Sequence, residues 1–194
     1  MKTKQETRPS TSERILSATL RLMSEKGYKS VTVKQIAAEA GFSEMTIFRT
    51  FGSKKAILDR LIENYLYTPP NEKMIRDRLT YDLETDLLML SEFYHDTVGA
   101  TEQIYLLSVM ERSVMPDLHV NIHHNATKFT DIVADYLKTM QERGLVVAGD
   151  PLVQAATLMY FNYGKFATYT LIPRADRLNN LRDAVAVIAR GLAA

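Results

Sequence analysis

Apolar residues recur along most of this chain at intervals of three and four residues, the spacing that places them on one face of an α-helix. The first such stripe consists of Ile15, Ala18, Leu22 and Met23. The segment Ser10-Thr11-Ser12-Glu13 offers a capping box at the start of this helix, and Gly27 stands where the helix would stop. Because no segment alternates convincingly between apolar and polar residues, as a half-buried strand does, the pattern predicts an all-α fold.

Three more short helices follow, and longer ones lie beyond Pro69-Pro70. The short helices run from the capping box Thr32-Val33-Lys34-Gln35 to Ala40, from Ser43 to about Thr50, and from Gly52-Ser53 to just before the prolines. The longer ones cover roughly residues 79–98, 101–114, 116–143, 150–171 and 176–192. We therefore predict about nine helices, in a three-helix head with a helix-turn-helix over residues 10–55 and a larger helical body over residues 56–194.

The composition is that of a globular protein with an ordinary core. Of 194 residues, 46% are hydrophobic and 24% charged, and there is no cysteine, which excludes disulfides, thiol catalysis and thiolate metal sites. No apolar run reaches the roughly 18 residues that a membrane span requires, and the polar stretch Met1 to Ser12 does not resemble a signal peptide. We expect a soluble, cytoplasmic protein.

The net charge of +1 conceals an uneven distribution. Residues 1–60 contain 12 Lys and Arg against 6 Asp and Glu, whereas residues 61–194 contain 12 against 17. A head of charge +6 on a body of charge −5 suggests that only the head contacts a polyanion. The alternative is a chance asymmetry of solvated faces.

The strongest motif lies between Val33 and Phe51. Ala37 is small where a second helix would cross, and Gly41 stands in the turn, where a positive φ suits glycine. The residues that fill the space between the two helices are Ile36, Ile47 and Phe51. The opposite face of the second helix then presents Glu44, Met45, Phe48 and Arg49. This arrangement suits insertion into a major groove, although a helix hairpin that merely packs is the alternative.

Phosphate contacts are expected around the same motif. Thr32 and Ser43 cap helix N-termini, where free backbone N–H groups bind phosphates well, and Lys54 and Lys55 lie at the start of the fourth helix. The full set of residues predicted to contact DNA is Thr32, Lys34, Ser43, Glu44, Met45, Thr46, Phe48, Arg49 and Lys54.

Residues 14–61 resemble the DNA-binding domain of the TetR/AcrR family. The positions that carry the resemblance are Gly27-Tyr28 before Thr32, Ile36-Ala37, Ala40-Gly41, Ser43, Thr46 and Phe51-Gly52-Ser53-Lys54. The resemblance covers about a quarter of the chain. It implies nine or ten helices, homodimerisation through the last two, and a repressor that a small ligand releases from DNA. No cofactor is predicted.

The resemblance also implies residue roles. Thr32, Ser43, Thr46 and Lys54 would grip phosphates, while Glu44, Met45 and Arg49 would face bases. The chain departs from the family at Phe48, usually tyrosine, and at Thr50, often histidine. Phe48 lacks the hydroxyl that would bind phosphate, and its ring could instead stack on a sugar or a thymine methyl group. Glu44 could accept a hydrogen bond from cytosine N4, or simply favour the helix dipole.

The last two long helices have the spacing expected of a dimer interface. The predicted interface residues are Leu152, Ala156, Met159, Tyr163, Phe166, Leu178, Leu181, Val185, Ile188 and Leu192. Each helix carries a second apolar stripe, for example Val153, Tyr160 and Ala167, or Ala184, Val187 and Gly191. One stripe can face the body and the other a partner; alternatively, both helices are wholly internal.

The body is rich in aromatic residues and methionine, so it could enclose a pocket for a largely apolar or aromatic effector. The candidate lining residues are Met89, Phe93, Tyr105, Met110, His123, Met159, Tyr160 and Tyr163. The same residues could equally form plain core. Asn162, in an otherwise apolar helix, is either a polar handle for the effector or a solvated side chain.

Metal binding and catalysis are not predicted. His119 and His123 are four residues apart, as two imidazole ligands would be, and Asp117 and His95 could add to them, but no spacing fixes a third ligand. The motifs of phosphate loops, zinc proteases and nucleophile elbows are absent. The sequence therefore predicts a DNA-binding regulator rather than an enzyme. The rival hypothesis is a ligand-independent or chromosome-organising protein with the same fold.

Overall fold

The computed structural model describes residues 9–66, 72–113, 116–170 and 172–194. The helices are α1 (Thr11–Lys26), α2 (Val33–Ala40), α3 (Glu44–Phe51), α4 (Lys54–Leu66), α5 (Glu72–Arg76), α6 (Leu83–Ala100), α7 (Glu102–Met110), α8 (Pro116–Glu142), α9 (Pro151–Thr168), α10 (Arg174–Arg177) and α11 (Leu181–Leu192). The only β-type pairing in these ranges is an isolated bridge between Val146 and Ala193. The all-α prediction is confirmed. None of the helices described could cross a membrane, because none is both long enough and apolar enough.

The helix starts follow the predicted capping signals. Ser10 Oγ accepts from the Glu13 backbone N–H at 3.2 Å, and the Glu13 carboxylate accepts from the Ser10 N–H at 2.7 Å. The second capping box, Thr32 with Gln35, has the same reciprocal bonds, and Ser43 caps α3. These bonds satisfy N–H groups that a helix terminus leaves unpaired, which is why the polar capping residues located the starts of α1, α2 and α3.

The contacts of the chain divide it into two compact units. The first consists of Met1–Thr68 and Gln103–Val120, and the second of Pro69–Glu102 and Asn121–Ala194. Helix α4 lies in the first unit and buries Ile57, Leu58 and Leu61. The other deeply buried side chains of the first unit include Ile15, Met23, Val31, Ile36, Ile47, Ile104 and Leu107.

Within the first unit, the end of α7 is joined to the loop between α1 and α2. Glu111 is buried, and its Oε1 accepts a hydrogen bond from the Tyr28 backbone N–H at 2.8 Å. Gly27 packs against the same carboxylate, since a Cβ there would lie 2.9 Å from Glu111 Oε1. The positive φ of Gly27, +78°, also favours glycine. A side chain distant in sequence thus fixes the loop that leads into the helix-turn-helix.

The second unit is built on α6, α9 and α11, which pack against one another. Its buried side chains include Leu87, Leu90, Tyr94, Phe129, Val133, Leu137, Leu158, Phe166 and Val185. Two polar residues join α6 to α9 inside this core, because the Asn162 amide donates to Ser91 Oγ at 3.0 Å. Burial of the donating amide and the accepting hydroxyl is tolerable because each is the other's hydrogen-bond partner.

The start of α6 differs from the prediction of a helix from residue 79. Asp86 is fully buried and accepts from the Thr80 N–H, the Thr80 hydroxyl and the Tyr81 N–H at 2.7–2.9 Å. These bonds hold residues 80–81 in a turn, so the helix begins at Leu83 with Asp82 as its cap. Burial of the Tyr136 hydroxyl raises its pKa, and the negative charge of Asp86 raises it further.

The predicted helix over residues 176–192 is in fact two helices. Asn180 adopts a left-handed conformation with φ +60°, which asparagine tolerates better than most residues, and this separates α10 from α11. Leu178 therefore lies outside α11, and the apolar stripe of the last helix begins only at Leu181.

Candidate nucleic-acid interface

Helices α2 and α3 form the predicted helix-turn-helix. Gly41 ends α2 in the left-handed region at φ +73°, and the N–H of Phe42 donates to the carbonyl of Ala37 at 2.9 Å, which closes the turn. Ile36, Ala37 and Ile47 are buried, as the crossing of two helices requires. The packing side of the motif is therefore the one that the sequence predicted.

Arg14 holds this turn from α1, a role that the sequence pattern did not reveal. Its guanidinium donates to the Ala40 carbonyl at 2.8 Å and lies over the Phe42 ring, 4.6 Å from the ring centroid. The bond satisfies a carbonyl at the C-terminus of α2, where no intrahelical donor is left. No local signal identifies this role, because Arg14 is distant in sequence from the turn and lies outside the apolar stripe of α1.

The outward face of α3 carries four of the predicted DNA-contacting side chains. Glu44, Met45, Phe48 and Arg49 are all exposed. Ile47, on the other side of the same helix, is fully buried. The eight-residue helix α3 thus exposes both apolar and charged side chains on one face.

The predicted hydroxyl groups are engaged in local bonds. Ser43 Oγ accepts from the Thr46 N–H at 3.2 Å and lies 3.0 Å from Thr46 Oγ1. Thr32 Oγ1 likewise accepts from the Gln35 N–H at 3.2 Å. These hydroxyls order the first turns of α2 and α3, whose remaining backbone N–H groups can bind anions.

Lys54, predicted to contact a phosphate, is engaged within the head. Its ammonium donates to the carbonyls of Tyr28 and Val31, both at 2.8 Å, and lies 4.2 Å from the centroid of the Tyr28 ring. The side chain is half-buried. Lys54 thus ties the start of α4 to the loop before α2.

The positive charge of the head is only partly available to a polyanion. Three cations are in ion pairs: Arg21 with Glu39, Lys55 with Asp59, and Arg60 with Glu63. The hydrogen bond to Asp59 raises the pKa of the Lys55 ammonium. Arg14 and Lys54 donate hydrogen bonds to backbone carbonyls instead. In the described part of residues 9–66, the cations with neither kind of contact are Lys26, Lys29, Lys34 and Arg49. Lys34 and Arg49, on α2 and α3, are the two that belong to the helix-turn-helix.

The predicted dimer residues are divided between core and surface. Met159, Phe166, Leu181 and Val185 are buried in the chain's own core. A side chain already enclosed in its own subunit cannot contact a partner, so these four are corrected to core positions. Ala156, Leu178, Ile188 and Leu192 are half-buried, and Leu152 and Tyr163 are exposed.

The second stripe is the one that faces outward. Tyr160 is 74% exposed and Val187 is 60% exposed, and Val153 and Gly191 are exposed with them. Ala167 and Ala184 are half-buried. Helix α9 packs against α6 and α11 and buries Met159, so the adjacent stripe is left at the surface.

The predicted pocket residues are divided between the two units and differ in burial. Tyr160, Tyr163 and Met110 are exposed, whereas Met159 is buried. Phe93 is half-buried and stacks on Phe129 with ring centroids 5.8 Å apart. Met89 is half-buried in the second unit, and Tyr105 is half-buried in the first. His123 lies outside the described side chains, as do His119 and Asp117.

Asn162 is a core residue rather than a solvated side chain. It is almost fully buried, and its Nδ2 donates to Ser91 Oγ and to the Leu158 carbonyl at 2.9–3.0 Å. Among the residues described, its Oδ1 has no hydrogen-bond partner. No group of three metal-ligating side chains occurs in the described part of the chain.

Both the head and most of the chain are similar to known proteins. Residues 15–61 match a family described as bacterial regulatory proteins, tetR family. Over 156 residues, the chain is 30% identical to the HTH-type transcriptional regulator YvkB of Bacillus subtilis, and the match covers 80% of this chain and 81% of that protein.

Two solved structures share the fold across nearly the full length. The ketosteroid transcriptional regulator KstR2 of Mycobacterium tuberculosis has a TM-score of 0.71 at 16% identity, covering 97% of each chain. A transcriptional regulator from Saccharomonospora viridis in complex with choline has a TM-score of 0.69 at 23% identity, covering 94% of this chain and 97% of that one.

Proposed function

The chain belongs to the TetR family of bacterial regulatory proteins and is a DNA-binding transcriptional regulator, and from this premise we propose that it is a repressor that a small molecule releases from an inverted-repeat operator. Family membership confirms the predicted resemblance and the expectation of a regulator rather than an enzyme. The observation that carries the proposal is the exposed face of α3, opposite its buried Ile47.

On this proposal, α3 enters the major groove. Glu44, Met45, Phe48 and Arg49 would face base edges, because they share the outward side of the helix. The N-termini of α2 and α3 would bind backbone phosphates through their N–H groups, with Lys34 beside them. We propose that Lys54, whose ammonium is held by two backbone carbonyls, takes no part in this contact.

Homodimerisation would use the outward stripe of α9 and α11. We define this surface by Leu152, Val153, Tyr160, Tyr163 and Val187, all large, apolar or aromatic, and exposed. A contiguous apolar patch is costly in contact with water, and a second copy presenting the same patch would cover it. Two heads related by a two-fold axis would then read two half-sites.

The dimer surface is tested by placing a charge within it. Val187→Glu should convert a dimer into a monomer, because an unpaired carboxylate would be buried at the interface. Val120→Glu is the matched control, since Val120 is 62% exposed and lies in the first unit. Light scattering coupled to gel filtration measures the mass of each. A monomeric wild type, or two variants that both stay dimeric, would refute this surface.

The effector would bind in the second unit beside Asn162. Its buried Oδ1 is an acceptor that a ligand donor could satisfy, and Ser91 fixes its orientation. Because the surrounding core is apolar and aromatic, the fitting class is a small, largely apolar or aromatic molecule with a hydroxyl or amine donor. Asn162→Leu should abolish effector-induced release while leaving operator affinity unchanged. Unaltered release by the same effector would show that the effector does not bind beside Asn162.

Selection from random duplex DNA at two salt concentrations tests the whole proposal. Retained sequences should share an inverted repeat whose half-sites are at least about one helical turn apart. Affinity should fall steeply with salt, because cations at phosphates release counterions. Weak, salt-sensitive binding with no shared sequence would contradict operator recognition and favour a chromosome-organising role.

A further inference from the structure

The two most exposed apolar side chains of α3 are neighbours on its outward face. Met45 is 80% exposed and Phe48 is 50% exposed, and residues three apart lie side by side on a helix. The other large apolar residues of this helix, Ile47 and Phe51, are buried and half-buried. The outward face therefore has an apolar centre, flanked by Glu44 and Arg49.

Nothing within the described part of this chain accounts for that exposure. Each apolar side chain left in water forgoes the stabilisation that burial would bring, so a short helix gains nothing from such a centre in the free protein. Phe48 has no hydroxyl with which to donate a hydrogen bond to a phosphate. The matching group on DNA must therefore itself be apolar. At base edges in the major groove, that group is the C5-methyl of thymine.

Resting on the operator recognition proposed above, we infer that Met45 and Phe48 read thymine methyl groups in each half-site. The three-residue separation advances about 4.5 Å along the helix, whereas successive base pairs are about 3.4 Å apart. The two side chains therefore reach adjacent or next-but-one base pairs. A selected half-site contains thymines at two such positions. The protein recognises them by apolar contact with their methyl groups rather than by hydrogen bonds.

Deoxyuridine substitution isolates this contact. Replacing one operator thymine by deoxyuridine removes only the methyl group and keeps O4 and the base pairing intact. Loss of one buried methyl group weakens binding by about fourfold, and the symmetric change in both half-sites by about fifteenfold. Each thymine of the selected operator is replaced in turn, and affinity is measured at constant salt by fluorescence anisotropy. Sensitivity at two neighbouring positions per half-site is expected.

Variants assign each methyl group to a side chain. Met45→Ala should lose sensitivity at one of the two positions and Phe48→Ala at the other, so that thymine and deoxyuridine bind equally there. Both side chains are exposed, so neither change removes core packing. Lys34→Gln is the control. Removing a cation from a backbone phosphate weakens binding to the thymine operator and to its deoxyuridine-substituted form by the same factor. Phe48→Tyr keeps the ring and should keep the sensitivity.

The outcomes separate this inference from the proposed function. An inverted-repeat operator that binds tightly but is indifferent to deoxyuridine would overturn the methyl readout and leave operator recognition standing. Sensitivity that persists unchanged in both Met45→Ala and Phe48→Ala would also overturn it, since other residues would then contact the methyl groups. Failure to select any shared sequence would overturn the inference and the proposed function together.

Discussion

Glu111 joins the end of α7 to the loop before α2, and its replacement by methionine offers a measurable test of that contact. Methionine keeps an unbranched stem of similar length but removes the acceptor. The Tyr28 N–H, which donates to Glu111 Oε1 at 2.8 Å, would then be left without its partner in a half-buried position.

The magnitude follows from the nature of the bond. A hydrogen bond to a charged group contributes about 1.5–3 kcal/mol, and an unpaired buried donor costs a similar amount. Relief of carboxylate burial offsets part of this loss, so we expect Glu111→Met to lower the free energy of unfolding by about 2 kcal/mol. For a chain of this size, that corresponds to a fall in melting temperature of about 4–8 °C.

Urea denaturation followed by circular dichroism gives the free energy, and amide hydrogen exchange gives the location. The Tyr28 amide should lose protection in Glu111→Met and retain it in Glu111→Gln, whose side-chain carbonyl still accepts. Glu142→Met, at an exposed position of α8, is the control and should change stability by less than about 0.5 kcal/mol. Equal stability of Glu111→Met and the control, or unaltered protection of Tyr28, would refute the reasoning.

Three further predictions concern charged groups. Lys34→Gln should reduce the slope of log affinity against log salt by about 1, whereas Lys54→Gln should leave that slope unchanged and cost about 1–3 kcal/mol of folding stability; the opposite pattern in titrations at several salt concentrations would restore Lys54 to the phosphate contact. Asp86→Asn should cost about 2–3 kcal/mol in urea denaturation, because both carboxylate oxygens accept bonds and an amide would turn donors toward donors; a cost under about 0.5 kcal/mol would contradict this. Hydrogen bonds from Ser10 lower the pKa of Glu13 below its ordinary 4.5, and those from Thr85 lower the pKa of Asp82 below its ordinary 3.8. The stability that these two carboxylates contribute is therefore present above the ordinary pKa and is lost as pH falls through the lower pKa of the folded state. Titration midpoints at the ordinary values, measured by NMR of the carboxyl groups, would contradict the lowered pKa values.

Local chemistry made much of the head predictable from the residues alone. A capping box such as Thr32 with Gln35 satisfies its own N–H groups within four residues, and Gly41 supplies a conformation that other residues avoid. Neither signal depends on distant parts of the chain. The helix starts, the helix-turn-helix and its outward face follow directly from such signals, and the family resemblance rests on the same residues.

Long-range contacts determined the partners of individual charged side chains and the buried face of α9. A periodic pattern of residue types does not contain such contacts. Lys54 and Glu111 find their partners in the loop around Tyr28, 26 and 83 residues away, and a charged side chain in the sequence does not disclose whether it meets a carbonyl, an amide or a phosphate. The same holds for α9, whose two apolar stripes are equivalent in sequence. Packing against α6 buries Met159 and leaves Tyr160 outside, because only one face of a helix can meet a given neighbour.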